Sequence, residues 1–162
     1  TVQPVAIACR VDDDLGNRHA LIHWAGMSAM MWRLARAAAA AMRAAAERAH
    51  PEEACGLLFG GGSRIDDAVA TANVAPDRLH RFEIDPAALF AAQRAARTGG
   101  PQLVGYFHSH PNGDPNPSPT DAAAAAADGR IWIVVAGGRL SAWRAGRTGL
   151  HGRFAPITLH AD

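Results

Sequence analysis

Cysteine is scarce in this chain: among its 162 residues only Cys9 and Cys55 carry a thiol. Two cysteines cannot build the framework of bridges that holds small secreted domains together, so the sequence excludes that class of protein. A reducing, cytoplasmic location is the one that this cysteine usage favours. We expect Cys55 to be a small buried apolar residue with no role as a ligand or nucleophile.

An excess of charge of one sign is also missing. Sixteen Lys and Arg residues stand against fifteen Asp and Glu residues, which gives a formal net charge of +1, and the two signs are interspersed. A basic stripe or tail is the usual signature of proteins that bind nucleic acids or anionic membranes. We therefore expect neither nucleic acid nor a membrane as a partner.

Long apolar runs are absent as well. The longest candidate, AMMWRLARAAAAAMRAAA, is interrupted by Arg33, Arg36 and Arg43, which makes it a costly transmembrane helix. No secretory signal, internal repeat or linker is evident, and the length is typical of one domain. We assign that domain to residues 27–162. Residues 1–26 form an N-terminal extension in which VAIACRV and HALIHW are either two short strands or loose chain.

The rest of the sequence alternates between helical and strand patterns. Apolar residues recur at three- and four-residue steps over residues 28–49, which predicts a helix that Ser28 caps and that ends before Pro51. The segments CGLLFGG, AVATANVA and RFEID then predict three short strands. The segment DPAALFAAQRAAR predicts a helix with Asp85 as N-cap and Pro86 at its first position.

The central part of the chain predicts a covered sheet. QLVGYFHSH is apolar on both faces, as is RIWIVVA, which indicates strands buried on both sides. SPTDAAAAAA predicts a helix between them, and Gly137-Gly138 suits the turn of a hairpin that follows. Together these elements predict an α/β fold, a three-layer sandwich with a mixed central β-sheet between helices.

Two histidines and an aspartate fall where a metal site can form. His108 and His110 project from the same side of a strand, at its carboxyl end, because side chains alternate along a strand. Asp121 lies in the first turn of the next predicted helix and brings a carboxylate oxygen. Two imidazole nitrogens and one oxygen leave one tetrahedral position open, which is the layout of a catalytic zinc site.

Each half of this pattern also has an ordinary structural interpretation. SPTD is a good helix start by itself, with Ser118 as N-cap, and HSH could be two strand histidines that hydrogen-bond to neighbours. The two halves together, at this spacing, favour the metal site. The remaining histidines are predicted to be structural or solvent-facing: His19, His23, His50, His80, His151 and His160.

The segment HSHPNGDPNPSPTD matches the His-x-His, seven residues, Ser, two residues, Asp signature of the JAMM (MPN-plus) metalloproteases. Upstream, PEEACGLLFGG resembles the Glu-x-Cys-Gly strand of that family, and NVAPDRLHRFEIDPAALFAAQ is similar to its bacterial members. The resemblance covers roughly residue 27 to the end and implies the cytidine-deaminase-like JAMM/MPN fold.

The resemblance implies a role for each matching residue. His108, His110 and Asp121 would bind zinc, the Ser118 hydroxyl would stabilise the developing oxyanion, and Glu53 would act as general base and acid.

The residues alone do not distinguish Glu53 from its neighbour Glu52, and it is the family spacing that favours Glu53. Asn73 and Arg81 occupy positions that could line a substrate channel.

The leading hypothesis is therefore a zinc-dependent peptidase or isopeptidase. It would cleave after the C-terminal Gly-Gly of a ubiquitin-like or sulfur-carrier protein in the cytoplasm. One alternative is a RadC-like DNA-associated protein, since HPNGDPNPS resembles the HPSGDP stretch of that group, although the near-neutral charge and EACG speak against it. Another is a phage-tail-type peptidase that acts on cell-wall peptides with the same zinc site. A non-catalytic binding module is disfavoured because every ligand is present.

Overall fold

The computed structural model describes residues 30–162. The predicted strands in VAIACRV and HALIHW and the cap at Ser28 lie outside the described residues. The proposed boundary between residues 26 and 27 is likewise untested and stays a prediction.

The described residues form three helices and seven strands. In chain order they are β1 Met31–Leu34, α1 Arg36–Ala49, β2 Cys55–Gly61, β3 Arg64–Thr71, α2 Pro86–Arg97, β4 Leu103–Ser109, α3 Pro119–Ala124, β5 Ile131–Ala136, β6 Arg139–Leu150 and β7 Phe154–Ala161. None of the helices in this part of the chain is long and apolar enough to cross a bilayer.

The strands form a single sheet in the order β1-β3-β2-β4-β5-β6-β7, which closes because β1 pairs with both β3 and β7. The sheet is mixed: β1 runs parallel to both of its neighbours, β4 runs parallel to β5, and the other pairs are antiparallel. The predicted α/β fold with a mixed sheet is confirmed. The three-layer arrangement is not confirmed, because the sheet closes on itself.

The main core lies between α1 and the sheet. On the helix side, Ala38 and Ala45 flank Met42, and all three are buried. Leu58 and Phe107 meet them from the sheet side and are fully buried. Small alanines let the helix approach the sheet closely, which explains why an alanine-rich segment still forms a packed element.

A second, smaller core fixes α3. Ala122 of this helix packs in a cluster with Trp132, Ala145 and Phe154, all of them buried. The ring of Trp132 meets that of Phe154 edge to face, with centroids 5.3 Å apart. This cluster holds a helix of only six residues in place against the sheet.

The predicted helix over residues 28–49 is wrong in its first part, because residues 31–34 form β1 and α1 begins at Arg36. Along β1 burial alternates: Trp32 and Leu34 point into the core while Met31 and Arg33 are exposed. A four-residue stretch fits both helical and strand periods, and pairing with β3 and β7 decides the outcome.

Two further differences concern the strands. RFEID, predicted as a strand, contributes one isolated bridge between Ile84 and Asn73. Strand β7, which no sequence pattern indicated, completes the sheet beside β6 and β1. The helix at SPTDAAAAAA is confirmed but ends at Ala124, before the alanine run is over.

Candidate metal centre

The two histidines lie at the carboxyl end of strand β4. His108 lies in β4 and is fully buried, and His110 follows directly after the strand and is also buried. Their side chains point to the same place, with the two Nε2 atoms 3.0 Å apart. The backbone N–H of His110 donates to Val135 O, which continues the pairing of β4 with β5 beyond the last strand residue.

Helix α3 brings the carboxylate to the same point. Ser118 is the N-cap and Asp121 the third residue of the first turn, and the two form a capping box. The Ser118 backbone N–H and hydroxyl both donate to Asp121 Oδ2, at 2.6 and 2.8 Å. The same Oδ2 atom lies 3.2 Å from His108 Nε2 and 3.3 Å from His110 Nε2. The cap therefore aims the carboxylate between the two rings.

The electrostatics of this cluster favour a positive charge at its centre. Burial opposes ionisation of Asp121, but hydrogen bonds from His108, His110 and Ser118 outweigh it and hold the pKa of this carboxyl well below its usual range. Burial lowers the pKa of His108. For His110 burial acts in the same direction, but contacts with Asp121 and Asp114 outweigh it and raise the pKa. The same arrangement of charge would favour a metal cation at this point.

The rings are oriented by further contacts. His110 Nδ1 lies 2.9 Å from the carbonyl of Asp114, which can only accept, so Nδ1 carries a hydrogen and Nε2 is the nitrogen that faces Asp121. Phe82 stacks on the His108 ring with centroids 4.4 Å apart. Among residues 30–162, His108 Nδ1 has no hydrogen-bond partner. These contacts leave both Nε2 atoms directed at one point.

The three ligand atoms fit a tetrahedral metal ion. Their separations are 3.0, 3.2 and 3.3 Å. Two ligands bound at about 2.0–2.1 Å in a tetrahedral site are about 3.3–3.4 Å apart, so only small shifts would be needed. His108, His110 and Asp121 are the group of three among the described residues that could hold a metal ion.

A buried carboxylate stands beside this cluster. Ala54 N donates to Ser109 Oγ at 2.8 Å and Ser109 N donates to Ala54 O at 2.9 Å, which places Glu53 next to His110. Glu53 is 7% exposed, and its Oε2 atom has no hydrogen-bond partner in the part of the chain that the structure describes. Burial raises its pKa from 4.5 to about 7, with the charge of Asp121 acting in the same direction.

The two adjacent glutamates lie in different surroundings. The side chain of Glu52 is 43% exposed and pairs with Arg78, with Nε and Oε1 3.2 Å apart. Glu53 has the burial and the raised pKa that a general base near neutral pH needs.

Ser109 is a residue of the site that the sequence pattern did not single out. It lies between the two histidines and faces away from them, toward β2, where its hydroxyl fixes the backbone of Ala54. The serine at the middle position of His-x-His could have indicated this contact, because a buried hydroxyl needs a hydrogen-bond partner.

Asn73 lies next to the site as a hydrogen-bonding hub. Its Nδ2 donates to Glu53 O at 3.0 Å and to Arg81 O at 3.1 Å, and its Oδ1 accepts from the backbone N–H groups of Ala75 and Glu83. All four hydrogen-bonding positions of the amide are therefore in use. Arg81 is exposed and meets Asn73 only through its carbonyl, so the structure brings it near Glu53 without directing its side chain at the ligands.

The family is decided by a comparison of the whole sequence. The model of the Prok-JAB family, described as prokaryotic homologs of the JAB domain, matches residues 35–146. The chain belongs to the Prok-JAB family. This confirms the resemblance to bacterial JAMM/MPN proteins, and the matched residues include every member of the cluster together with Glu53.

Curated relatives of this Prok-JAB chain carry the names of enzymes. It is 33% identical over 95 residues to the desampylase of Haloferax volcanii. The matched segment covers 57% of the chain and 68% of that relative. It is 33% identical over 78 residues to a Thermus thermophilus protein named "Probable TtuB-protein conjugate cleaving protease", and the match covers 48% of the chain and 52% of that relative. The chain thus spans about half of the second relative. The prediction of a JAMM-type hydrolase is confirmed by this family and these names.

A solved structure supports the fold of the Prok-JAB chain. The solution structure of a protein from Desulfitobacterium hafniense matches with a TM-score of 0.68 at 23% sequence identity, covering 82% of this chain and 92% of that one. At that level of identity the likeness concerns the fold alone.

Proposed function

We propose that this protein is a zinc-dependent peptidase or isopeptidase that cleaves after the C-terminal Gly-Gly of a ubiquitin-like or sulfur-carrier protein. The observation that carries the proposal is the convergence of His108 Nε2, His110 Nε2 and Asp121 Oδ2 at one buried point beside the carboxylate of Glu53. Two nitrogens and one oxygen form a ligand set of the kind that catalytic zinc uses.

Zinc, when bound by these three residues, would supply Lewis-acid chemistry, polarising the scissile carbonyl and making water acidic near neutral pH. His110 is prepared for ligation because its Nδ1 hydrogen is already donated to the Asp114 carbonyl. His108 is held by the stacked ring of Phe82. The ligands therefore need little reorganisation.

Glu53 is assigned the proton transfers. Burial raises its pKa to about 7. A carboxylate with a pKa near neutral pH can both accept a proton and donate it again. We infer that Glu53 removes a proton from the attacking water and passes it to the nitrogen of the leaving amine. Among residues 30–162 its Oε2 atom has no hydrogen-bond partner, and we assign this contact to that atom.

Ser118 is assigned the stabilisation of the oxyanion. Its hydroxyl lies within the ligand cluster, 2.8 Å from Asp121 Oδ2, and it can rotate to donate to an oxygen that develops charge nearby. A donor of this kind typically lowers the activation barrier by about 3–4 kcal/mol.

The substrate assignment rests on the relatives and on the burial of the site. One relative is named a desampylase, and the name of the other describes the cleavage of TtuB-protein conjugates. The ligands are almost entirely buried, and Phe82 covers His108. A chain end without side chains is the one that reaches such a site most easily, which favours Gly-Gly. Arg81, which is exposed, is proposed to contact this tail with its side chain, and Asn73 is proposed to line the channel while its amide holds the backbone at Arg81. The reaction is proposed to take place in the cytoplasm.

Cleavage of defined fusions tests the proposal. Zinc-loaded wild type should cut a ubiquitin-like or sulfur-carrier protein joined through Gly-Gly to a reporter, by a linear bond or through a lysine side chain. His108→Ala should lose both stoichiometric zinc and cleavage, because one of the three ligands is gone. Glu53→Gln should keep its zinc and lose cleavage.

Two controls define the outcome. Glu52→Gln changes the adjacent, exposed carboxylate and should cleave at the wild-type rate. Replacement of the glycine pair in the fusion by Ala-Ala should abolish cleavage. Wild type that holds one zinc per chain and binds these fusions but cuts none of them would refute the peptidase assignment.

A further inference from the structure

The loop between the two halves of the site is held by side chains from outside it. Residues 111–117 connect His110 to Ser118 and contain three prolines, which lack the N–H that a regular ladder requires. The loop's internal contacts are short Asx-type hydrogen bonds around Asp114. Its later carbonyls are free to accept hydrogen bonds from elsewhere in the protein.

Two of these carbonyls are reached by side chains of the β6–β7 hairpin. The Ser141 hydroxyl, on β6, donates to Pro115 O and accepts a hydrogen bond from Trp143 Nε1 at 3.2 Å. His151, in the turn between β6 and β7, has its Nε2 atom 3.2 Å from Pro117 O. A carbonyl can only accept, so His151 Nε2 carries the hydrogen and donates.

The backbone at His151 makes this contact notable. Its φ of 52° lies in the left-handed region, where Ser63 is the other non-glycine residue among residues 30–162. Glycine would adopt this conformation without steric cost, and the neighbouring Gly149 and Gly152 do so with φ of 92° and 66°. A histidine in this conformation carries backbone strain that a glycine would not have. In this position its ring reaches the carbonyl of Pro117.

Pro117 directly precedes the N-cap of α3. It is fully buried, and the next residue, Ser118, makes the contacts with Asp121 that aim the carboxylate. A shift of Pro117 would move Ser118, which follows it directly in the chain. Through the contacts of Ser118 it would also move the carboxylate of Asp121. The hairpin contacts therefore act at the point where the loop enters the site.

We propose that His151 and Ser141 are positioning residues that clamp the loop and so set the placement of Ser118 and Asp121. The part that concerns turnover rests on the proposed peptidase function, whereas the clamp itself does not. The hydrogen bond of the His151 ring goes to the Pro117 carbonyl, so its role is exerted through the loop.

His151→Gly is the decisive variant because it removes the ring and keeps the turn. Glycine suits a φ of 52°, so the melting temperature should be equal to or higher than that of wild type. Amide hydrogen exchange in zinc-free protein should be about 5-fold faster at Ser118 and Asp121, as expected for the loss of one hydrogen bond that holds the cap. His160→Ala, an exposed histidine on β7, is the matched control and should leave both amides unchanged.

Kinetics of zinc-loaded protein supply the second readout. A misplaced oxyanion donor lowers turnover more than binding, so His151→Gly should reduce kcat by about 10-fold and leave KM within about 2-fold. Ser141→Ala should have an effect of the same kind, and Ser141→Thr, which keeps the hydroxyl on a strand residue, should restore most of it.

The outcomes separate the clamp from the peptidase. Unchanged exchange at Ser118 and Asp121 in a stable His151→Gly protein would overturn the clamp, and a wild-type kcat in this variant would overturn the effect of the clamp on turnover. Faster exchange at both amides, with wild type that cleaves no fusion, would leave the clamp in place and overturn the proposed function alone.

Discussion

Glu53 allows a quantitative prediction about stability. Burial raises its pKa from 4.5 to about 7, with Asp121 adding to the effect and His110 opposing it. Since one pKa unit corresponds to about 1.4 kcal/mol, keeping this carboxylate charged in the folded, zinc-free protein costs about 3 kcal/mol. The folded protein holds this proton more tightly than the unfolded chain does. The stabilising contribution is therefore complete below pH 4.5 and is lost as the pH rises to about 7.

The variant Glu53→Gln removes this ionisation and keeps the size of the side chain. Near pH 4.5 the wild-type carboxyl is protonated, so the variant and the wild type should differ by a constant amount that reflects only the amide. Between that pH and about pH 8 the variant should gain about 3 kcal/mol over the wild type in free energy of unfolding. Glu53 is thus expected to destabilise the zinc-free protein at neutral pH.

Urea denaturation in EDTA, followed by tryptophan fluorescence at several pH values, measures this difference. Glu52→Gln is the matched control, because its side chain is 43% exposed and an exposed ion pair typically changes the free energy of unfolding by less than about 1 kcal/mol. A profile for Glu53→Gln as flat as that of the control would refute the reasoning, because the buried carboxylate would then ionise at no cost.

Three further predictions concern single substitutions. Ser118→Ala should keep its zinc and lose about 100- to 1000-fold in kcat, which metal analysis and fusion cleavage would check; loss of the metal would contradict the assignment. Asn73→Asp cannot donate to the two backbone carbonyls that Asn73 holds, so it should lower the free energy of unfolding by about 2–3 kcal/mol in urea, and unchanged stability would speak against the hub. Gly105→Ala places a methyl group 1.9 Å from Ile131 O and should lower the free energy of unfolding by more than about 3 kcal/mol. Gly61→Ala, with open space around it, should lower it by less than about 1 kcal/mol. Equal effects in urea denaturation would contradict the packing of β4 on β5.

The site could be predicted because its pattern is local. His108 and His110 fall on the same side of a strand because side chains alternate, whatever surrounds them. Asp121 lies in the first turn of a helix whose start is indicated by Ser118 and Pro119. The structure brings these groups together as the spacing indicated. Glu53 was different: only the family resemblance separated it from Glu52, because burial is not visible in two adjacent identical residues.

The closure of the sheet could not be predicted, because it depends on contacts that are distant in sequence. Trp32 pairs with Leu159, and Leu34 with Ala161, across more than a hundred residues. Strand β1 is only four residues long and precedes a helix of strong propensity, so the helical pattern extends over it. Strand β7 contains Pro156 and offers little alternation in burial, which hides it from a period-two search.

The role of the β6–β7 hairpin was also out of reach. His151 was expected to be structural or solvent-facing, and nothing in its neighbours links it to the loop. Its contact with Pro117 spans 34 residues and exists only because the hairpin folds back over that loop. Side-chain hydrogen bonds to a proline-rich loop leave no periodic signal.

The central claim is that His108, His110 and Asp121 hold one zinc ion. Anomalous diffraction at the zinc edge, from crystals grown with zinc in slight excess, tests it directly. We expect one strong peak about 2.0–2.2 Å from both Nε2 atoms and from an oxygen of Asp121, at full occupancy. Crystals whose anomalous map is empty at that point, with the two imidazole rings turned away from each other, would contradict the account.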